Sequence, residues 1–403
     1  MAIAVGVNKR LAYKVETNWG EKATASGAKI LRRVTANFNL NKESYESNEI
    51  STTYQTSDFR HGVRSVAGSI SGELSPGSYA DFFAAVLAKD FSAGVTSGTL
   101  SYTIAASGNF WTVTRAAGSF LTEGFKVGRV VRITAAGGNA ANVGKNLLIL
   151  GLTATVATVV VLNGSVLVAE GPIASATIAE VGKVTYAPLS GHTDKSFTVE
   201  EWYSDIAQSE VSVGNKVNTA GISLPATGLA TVDFGFMGKD KTNTTSAYFT
   251  TPTTAGTSGI FAAVNGALVV NGVPVAVLTG LNVNINRNMQ NATVVGSNSI
   301  ADVFEGRIIV DGDFSAYFTD GTIRDYFNNE TEISIVAALT SSNAVDAEVV
   351  AITLPRVKIN SDTKSDSESG ITSQHSFRAL LNSAGGTGTS SEATTISIQD
   401  SLA

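Results

Sequence analysis

Polar and apolar residues alternate over Asn37-Phe38-Asn39-Leu40-Asn41-Lys42, and the alternation returns over Asn282-Val283-Asn284-Ile285-Asn286-Arg287. A period of two sends successive side chains to opposite faces, so both segments predict strands with one buried and one wet face. The two agree in chemical type at every position. Further matches follow in the same chain order. Ser69-Ile70-Ser71-Gly72-Glu73-Leu74 resembles Ile309-Val310-Asp311-Gly312-Asp313-Phe314, and Tyr79-Ala80-Asp81-Phe82-Phe83 resembles Ile323-Arg324-Asp325-Tyr326-Phe327. Lys216-Val217-Asn218 and Val232-Asp233-Phe234 find partners in Arg356-Val357-Lys358 and His375-Ser376-Phe377. Their common order points to one β-rich module carried twice.

A change of period marks one short helix in each copy. Tyr79, Phe82, Phe83, Val86 and Leu87 share a helical face, with Ser75 or Ser78 to cap it and Pro76-Gly77 to open it. The second helix is expected over residues 322–330, after the Asp320-Gly321 turn. Between the first helix and its closing strands lies extra sequence, residues 98–187. It holds Asn109-Phe110-Trp111-Thr112-Val113-Thr114, Gly124 to Ile133, the apolar run Leu147 to Leu162, and Ala176 to Tyr186. Short strands with glycine turns at this spacing predict a small inserted β-barrel or sandwich.

The expected fold class is therefore β-dominated (α+β): two tandem sandwich or barrel modules, each with one short helix, plus an inserted small β domain. The first module takes residues 1–97 and 188–241 around the insert at 98–187. A Ser/Thr-rich linker follows at 242–258. The second module takes 259–385, and a flexible arm closes the chain at 386–403.

Composition supports this class and narrows the function. The 403 residues are 43% apolar and only 15% charged, with 39 glycines and 7 prolines, a mixture that favours strands and turns. The net charge of −6 argues against a protein that grips nucleic-acid phosphates. With no cysteine, disulfides, thiol chemistry and Cys-ligated zinc are excluded. The first residues place a short apolar stretch ahead of Lys9-Arg10, the reverse of a signal peptide, and Gly151 and threonines break the run 147–162. Neither an export signal nor a membrane span is expected.

Catalytic and metal motifs do not emerge. The three histidines, His61, His192 and His375, have no metal-ligand spacing, and neither a phosphate loop nor a nucleophile elbow is present. Asp311, Asp313 and Asp320 lack the ligand order of a calcium loop. No enzyme, cofactor or metal is expected. A surface adhesin or surface-layer β-repeat protein shares this composition but calls for an export or anchoring segment.

The segment 195–239 carries a resemblance. Phe197-Thr198-Val199-Glu200-Glu201-Trp202-Tyr203 leads to Gly214-Asn215-Lys216-Val217-Asn218, the Leu224-Pro225 turn and Val232-Asp233-Phe234-Gly235-Phe236-Met237-Gly238-Lys239. This resembles the major tail tube proteins of long-tailed (siphovirus-like) bacteriophages, over residues 10–96, 188–240 and 259–385. The resemblance implies a structural virion protein that stacks as rings into a hollow tube for genome ejection, assembled in the bacterial cytoplasm. A minor tail or baseplate component on the same module is the near alternative.

Single-module relatives form six-membered rings, so two modules per chain imply homotrimeric rings with pseudo-sixfold symmetry, with hexameric rings as the alternative. The implied partners are further copies of the chain, the tape measure protein, double-stranded DNA passing without tight binding, and the tail terminator and tip proteins, with no membrane insertion. The loops 42–64 and 288–301 would reach the next ring. A lumen that passes DNA should be rich in amide and acidic groups. The candidate lumen-facing residues are Asn37, Asn39, Asn41, Asn282, Asn284 and Asn286, with Glu73, Asp311 and Asp313.

Overall fold

The computed structural model describes residues 3–135, 138–163, 166–275, 277–366, 368 and 370–403. Eight strands form the main sheet and are numbered in chain order: β1 (Thr35–Glu46), β2 (Phe59–Glu73), β3 (Gln208–Pro225), β4 (Thr231–Gly238), β5 (Leu278–Asn286), β6 (Ile309–Tyr317), β7 (Val349–Ile359) and β8 (Thr372–Ala379). All pair antiparallel, in the spatial order β1-β2-β4-β3-β5-β6-β8-β7. The first four strands thus form a unit whose order the last four repeat, and β3 joins β5 edge to edge.

One face of this sheet carries the core. Phe38, Ile70, Phe234, Val283, Val310 and Phe377 alternate inward along six of the strands, and all are buried in one cluster. A second sheet closes the core from the other side. In the first unit it contains Lys9–Val15, Phe197–Tyr203 and the first half of β3. In the second unit it contains Gly266–Val270, Ile333–Thr340 and the first half of β7. The long strands β3 and β7 therefore serve both layers. In β3 the change of layer falls at Gly214, whose φ of +70° is open to glycine without penalty. A Cβ there would also come within 2.9 Å of Lys239 Cβ.

The ladders define which residues correspond. Leu74 N–H donates to Ala230 C=O at 2.8 Å in the first unit, and Phe318 N–H donates to Ile371 C=O at 2.9 Å in the second. Ala88 and Glu330, each just past a helix, both have positive φ, +54° and +52°. In this frame Asn37–Lys42 corresponds to Asn282–Arg287 as the sequence suggests. The other matches slip: Ser69 corresponds to Asp313 rather than Ile309, Val232 to Ser373 rather than His375, Lys216 to Lys358 rather than Arg356, and Tyr79 to Gly321 rather than Ile323. The strand slips are all even, because a period of two cannot separate registers that differ by two.

The helices Ala80–Val86 and Thr322–Asn328 differ in burial. Phe82 and Phe83 are sealed among Tyr13, Phe197, Phe234 and Phe236, with ring centroids 4.8–5.4 Å apart. Neither Ser75 nor Ser78 caps the helix; Ser75 bonds Ser78, and Asp400 accepts from Gly77 N–H at 2.8 Å. At the positions of Phe82, Phe83 and Phe234 the second unit carries Arg324, Asp325 and His375. Arg324 Nε lies 2.8 Å from Asp362 Oδ2, and His375 Nδ1 lies 3.4 Å from Asp362 Oδ1. Burial lowers the His375 pKa, with Lys364 adding to the shift, against the opposing pull of Asp362 and a backbone bond at Ser361.

The insert departs after the first helix; in the second unit the equivalent helix runs directly into Ile333–Thr340. Six strands between Leu100 and Glu180 close into a barrel around Tyr102, Phe120, Phe125 and Ile149. Its stalk is wider than expected: Ser92–Ala93 and Lys183–Tyr186 pair with each other, and the latter pairs with Ser397–Asp400. The barrel packs on the outer side of the second sheet, where Val130, Leu148 and Val181 meet Val336, Val349 and Ala351. Lys126 Nζ anchors it to the carbonyls of Gly386 and Thr389 at 2.5 and 2.8 Å.

Two segments differ from expectation. The closing residues are no flexible arm: Ser397–Asp400 pairs with both β7 and Lys183–Tyr186, and Ile396 and Ile398 are buried. Their apolar side chains find a groove within the chain. Residues 242–258 are no free linker either. Asp240–Thr244 pairs with β3, Phe249 is fully buried, and Thr251–Thr253 runs parallel to Ser26–Ile30.

Two outcomes follow for the unassembled chain. Phe82→Ala should cost about 3–5 kcal/mol, read as a fall in the urea midpoint, while Phe327→Ala on the half-exposed second helix should cost about 1 kcal/mol or less. The folded chain resists protonating His375, which the unfolded chain accepts below about pH 6.5, so stability is lost as pH falls through that range. His375→Asn should flatten the drop in urea midpoint between about pH 7.5 and pH 5.5.

Candidate functional site

The face of the main sheet opposite the core is continuous across both units. Along β1 it presents Asn37, Asn39 and Asn41, paired with Ser69, Ala67 and Ser65 of β2. Glu73 and Ser71 stand opposite Thr231 and Asp233 of β4. Across the junction Ser223, Gly221 and Thr219 of β3 face Asn282, Asn284 and Asn286 of β5. Asn282 and Asn284 in turn pair with Asp313 and Asp311 of β6, which pair with Ser376 and Arg378 of β8. Alternation turns all nine candidate residues to this one face.

Neighbouring side chains bond across the strands. Ser223 Oγ donates to Asn282 Oδ1 at 2.7 Å, and Asn282 Nδ2 donates to Asp313 Oδ2 at 3.2 Å. Gln374 Nε2 reaches the same carboxylate oxygen at 3.4 Å, and Ser71 Oγ donates to Asp233. Such cross-strand contacts fix short side chains on a flat surface without hollowing it. Sequence reasoning missed Asp233, Gln374, Lys358 and Arg378 on this face. The register reveals them; alternation within a single strand does not identify cross-strand neighbours.

The charge on this face is mostly negative. Glu73, Asp233, Asp311 and Asp313 supply carboxylates, against Lys358 and Arg378. Arg378 lies 3.7 Å from Asp311, and Lys358 lies 3.1 Å from Glu330, so both cations are already engaged. Many other cations are held inside the chain. Arg10 pairs with buried Glu200 at 3.0 Å, Lys216 with Asp194 at 2.6 Å, and Lys241 with Glu201 and Glu210 at 2.8 and 2.5 Å. Burial alone would lower the Lys241 pKa, but bonds to these two carboxylates outweigh it and hold the pKa raised.

The segment after β5 forms a short hairpin whose legs fold back, Met289, Ile300 and Val303 packing with Trp19, Val63 and Met237, while Val294 and Val295 at its tip are exposed. Residues 288–301 are thus anchored on the first unit through Met289 and Ile300 and exposed at their tip. The β1–β2 hairpin does project, with Ile50 and Tyr54 fully exposed at its tip. Among the described residues no cluster of three or more His, Asp and Glu is arranged to hold a metal ion. No helix among them is long and apolar enough to cross a membrane.

The sequence model of the phage tail tube protein family matches residues 6–379, nearly the whole chain. No curated protein matches it. The chain belongs to the phage tail tube protein family, and with it to the structural proteins of the virion tail.

Proposed function

We propose, with membership in the tail tube family as the premise, that three chains close into a ring whose inner wall is the polar face just described. Stacked rings form the conduit through which the genome leaves. The observation that carries this reading is the edge-to-edge junction of β3 and β5. The chain already joins two like units in one antiparallel sheet, and it leaves the outer edge of β1 at one end and the β7 edge at the other. Closing that sheet around an axis removes both edges. The inner wall then repeats nearly six times and the outside three times, because only the first unit carries the barrel.

The layer order sets inside against outside. Polar face, main sheet, core, second sheet and barrel follow one another, so a lumen on the polar face puts the barrel outside. Asn37, Asn39, Asn41, Glu73, Asn282, Asn284, Asn286, Asp311 and Asp313 would then line the lumen. Their amides and carboxylates offer DNA phosphates no fixed cation, which suits passage of DNA or a tape measure protein. Terminator and tip proteins would meet the end rings, and assembly would take place in the bacterial cytoplasm. We place the unit boundaries where the helix and strand equivalences break, at about residues 90 and 195.

Electron images of tubes grown from the purified chain should average to a threefold exterior over a near-sixfold wall. An exterior feature repeated six times would refute the trimer. Tubes carrying Asn39→Lys, Asn284→Lys and Asp311→Lys together should retain short double-stranded DNA at low salt and release it at high salt. Unchanged passage of DNA through such tubes would show that the lumen lies elsewhere.

A further inference from the structure

The junction inside the chain has three parts, each contributed by the second unit to the first. The edge of β5 pairs with β3 from Asn286↔Thr219 to Gly280↔Pro225. The strap Ile260-Phe261-Ala262-Ala263-Val264-Asn265 crosses the end of the first unit, where Phe261 N–H donates to Leu74 C=O at 3.1 Å and Phe261 C=O accepts from Ala230 N–H at 2.9 Å. Arg287 Nη1 donates to Ala85 C=O at 3.0 Å, at the end of the first helix.

Each contributing part has a counterpart in the first unit that meets no second unit of the described chain, although Val5 N–H donates to Asp205 Oδ2 at 2.6 Å. Ile3-Ala4-Val5-Gly6-Val7-Asn8 corresponds to the strap. Asn8 N–H donates to Val5 C=O at 2.9 Å as Asn265 N–H does to Ala262 C=O at 3.0 Å, and Ile3 and Val7 are 83% and 93% exposed. Lys42 stands at the place of Arg287 and is exposed. Each receiving part is likewise open in the second unit. Phe318 and Ile371, the counterparts of Leu74 and Ala230, are 41% and 46% exposed. The Phe318 carbonyl and the Ile371 N–H have no partner among the described residues. Residues 361–365 continue β7 at the place of 219–223, and among the described residues their backbone is bonded on one side, to β8.

We propose that the seam between two copies of this chain repeats the internal junction residue for residue. In that seam Asn37, Asn39 and Asn41 of one copy stand opposite Ser365, Thr363 and Ser361 of the next. The segment 3–8 lies across Phe318 and Ile371, and Lys42 caps the end of the second helix. Arg287 N–H donates to Asn218 C=O at 2.9 Å, so by alternation Leu281, Val283 and Ile285 turn their backbone groups toward β3. Ala36, Phe38 and Leu40 turn theirs to the free edge in the same way. In the free chain the Ala36 and Phe38 carbonyls accept from Lys9 and Lys241 at 2.7 and 2.5 Å. Those ammonium groups blunt the edge, while each carbonyl keeps a second lone pair for an incoming N–H.

This inference rests on the ring reading, and a cysteine-free chain allows the two to be tested apart. Asn37 and Ser365 lie at opposite edges of the sheet, so a disulfide between them must join two chains. They would form a non-hydrogen-bonded pair, with Cα atoms about 4.5 Å apart, within disulfide reach. Tubes of Asn37→Cys/Ser365→Cys should oxidise to a closed covalent trimer on a denaturing gel. Asn37→Cys/Asp366→Cys, one residue out of register, should stay monomeric. Ser223→Cys/Asn282→Cys should close within the chain as the control, and Val5→Cys/Gly370→Cys probes the strap independently. If tubes form and the control closes while 37/365 and 5/370 do not, the seam is wrong and the ring reading stands. If wild-type protein gives no rings or tubes, both fall.

Discussion

An antiparallel sheet with one dry and one wet face has no natural place to stop. Its last strand on either side presents unpaired N–H and C=O groups that another strand can satisfy. In this chain β3 and β5 resolve that constraint once, internally, through a ladder from Thr219 to Pro225. The same constraint is left standing at β1 and beyond β7. Much of the architecture follows from it. Two units of identical strand order, joined head to tail by one heterologous contact, leave two ends that do not meet within the chain.

The long strands β3 and β7 make the repeat possible. Each begins in the second sheet and ends in the main one, so one stretch of backbone fixes the separation of the two layers. Register shifts accompany the passage, opposite Asn215 to Ser212 in the first unit and opposite Val357 to Leu354 in the second. A bulge at this place turns the strand without breaking its pairing. The core between the layers then needs only a short helix to fill it. The first unit fills its space with Phe82 and Phe83. The second places Arg324 and Asp325 there, and its helix remains half open.

Much of the fold was legible because alternation is a direct record of burial. Asn37 to Asn41 and Asn282 to Asn286 fall on one face as their spacing requires, and the apolar run 147–162 divides into the paired barrel strands Leu147–Leu152 and Val156–Val161. Register was less legible, since two-residue slips leave the in-out pattern intact. Ile396 and Ile398 looked like an arm because a four-residue strand after a Gly/Ser/Thr-rich stretch carries no sign of where it docks. The strap Ile3 to Asn8 was missed although Ile, Val and Asn recur at matching places in Ile260 to Asn265. It contains no strand alternation and no helix period, so only the ladders around it reveal the correspondence.

The inequality of the two units has a physical reading. Phe82, Phe83 and Phe234 are covered from within the chain, among Tyr13, Tyr79, Phe197 and Phe236, so burial there is complete before any assembly. Of the corresponding positions, Arg324 and Asp325 are exposed and only His375 is buried. Aromatic side chains at 324 and 325, on the exposed second helix, would add to the exposed apolar surface of the free chain, with the risk of indiscriminate association. The ion pair of Arg324 with Asp362 keeps that surface soluble and still orders it. A duplicated module can thus divide two incompatible demands. One copy supplies a sealed core that folds the chain, and the other keeps a polar, open end, free to pair with another strand if the proposed ring forms.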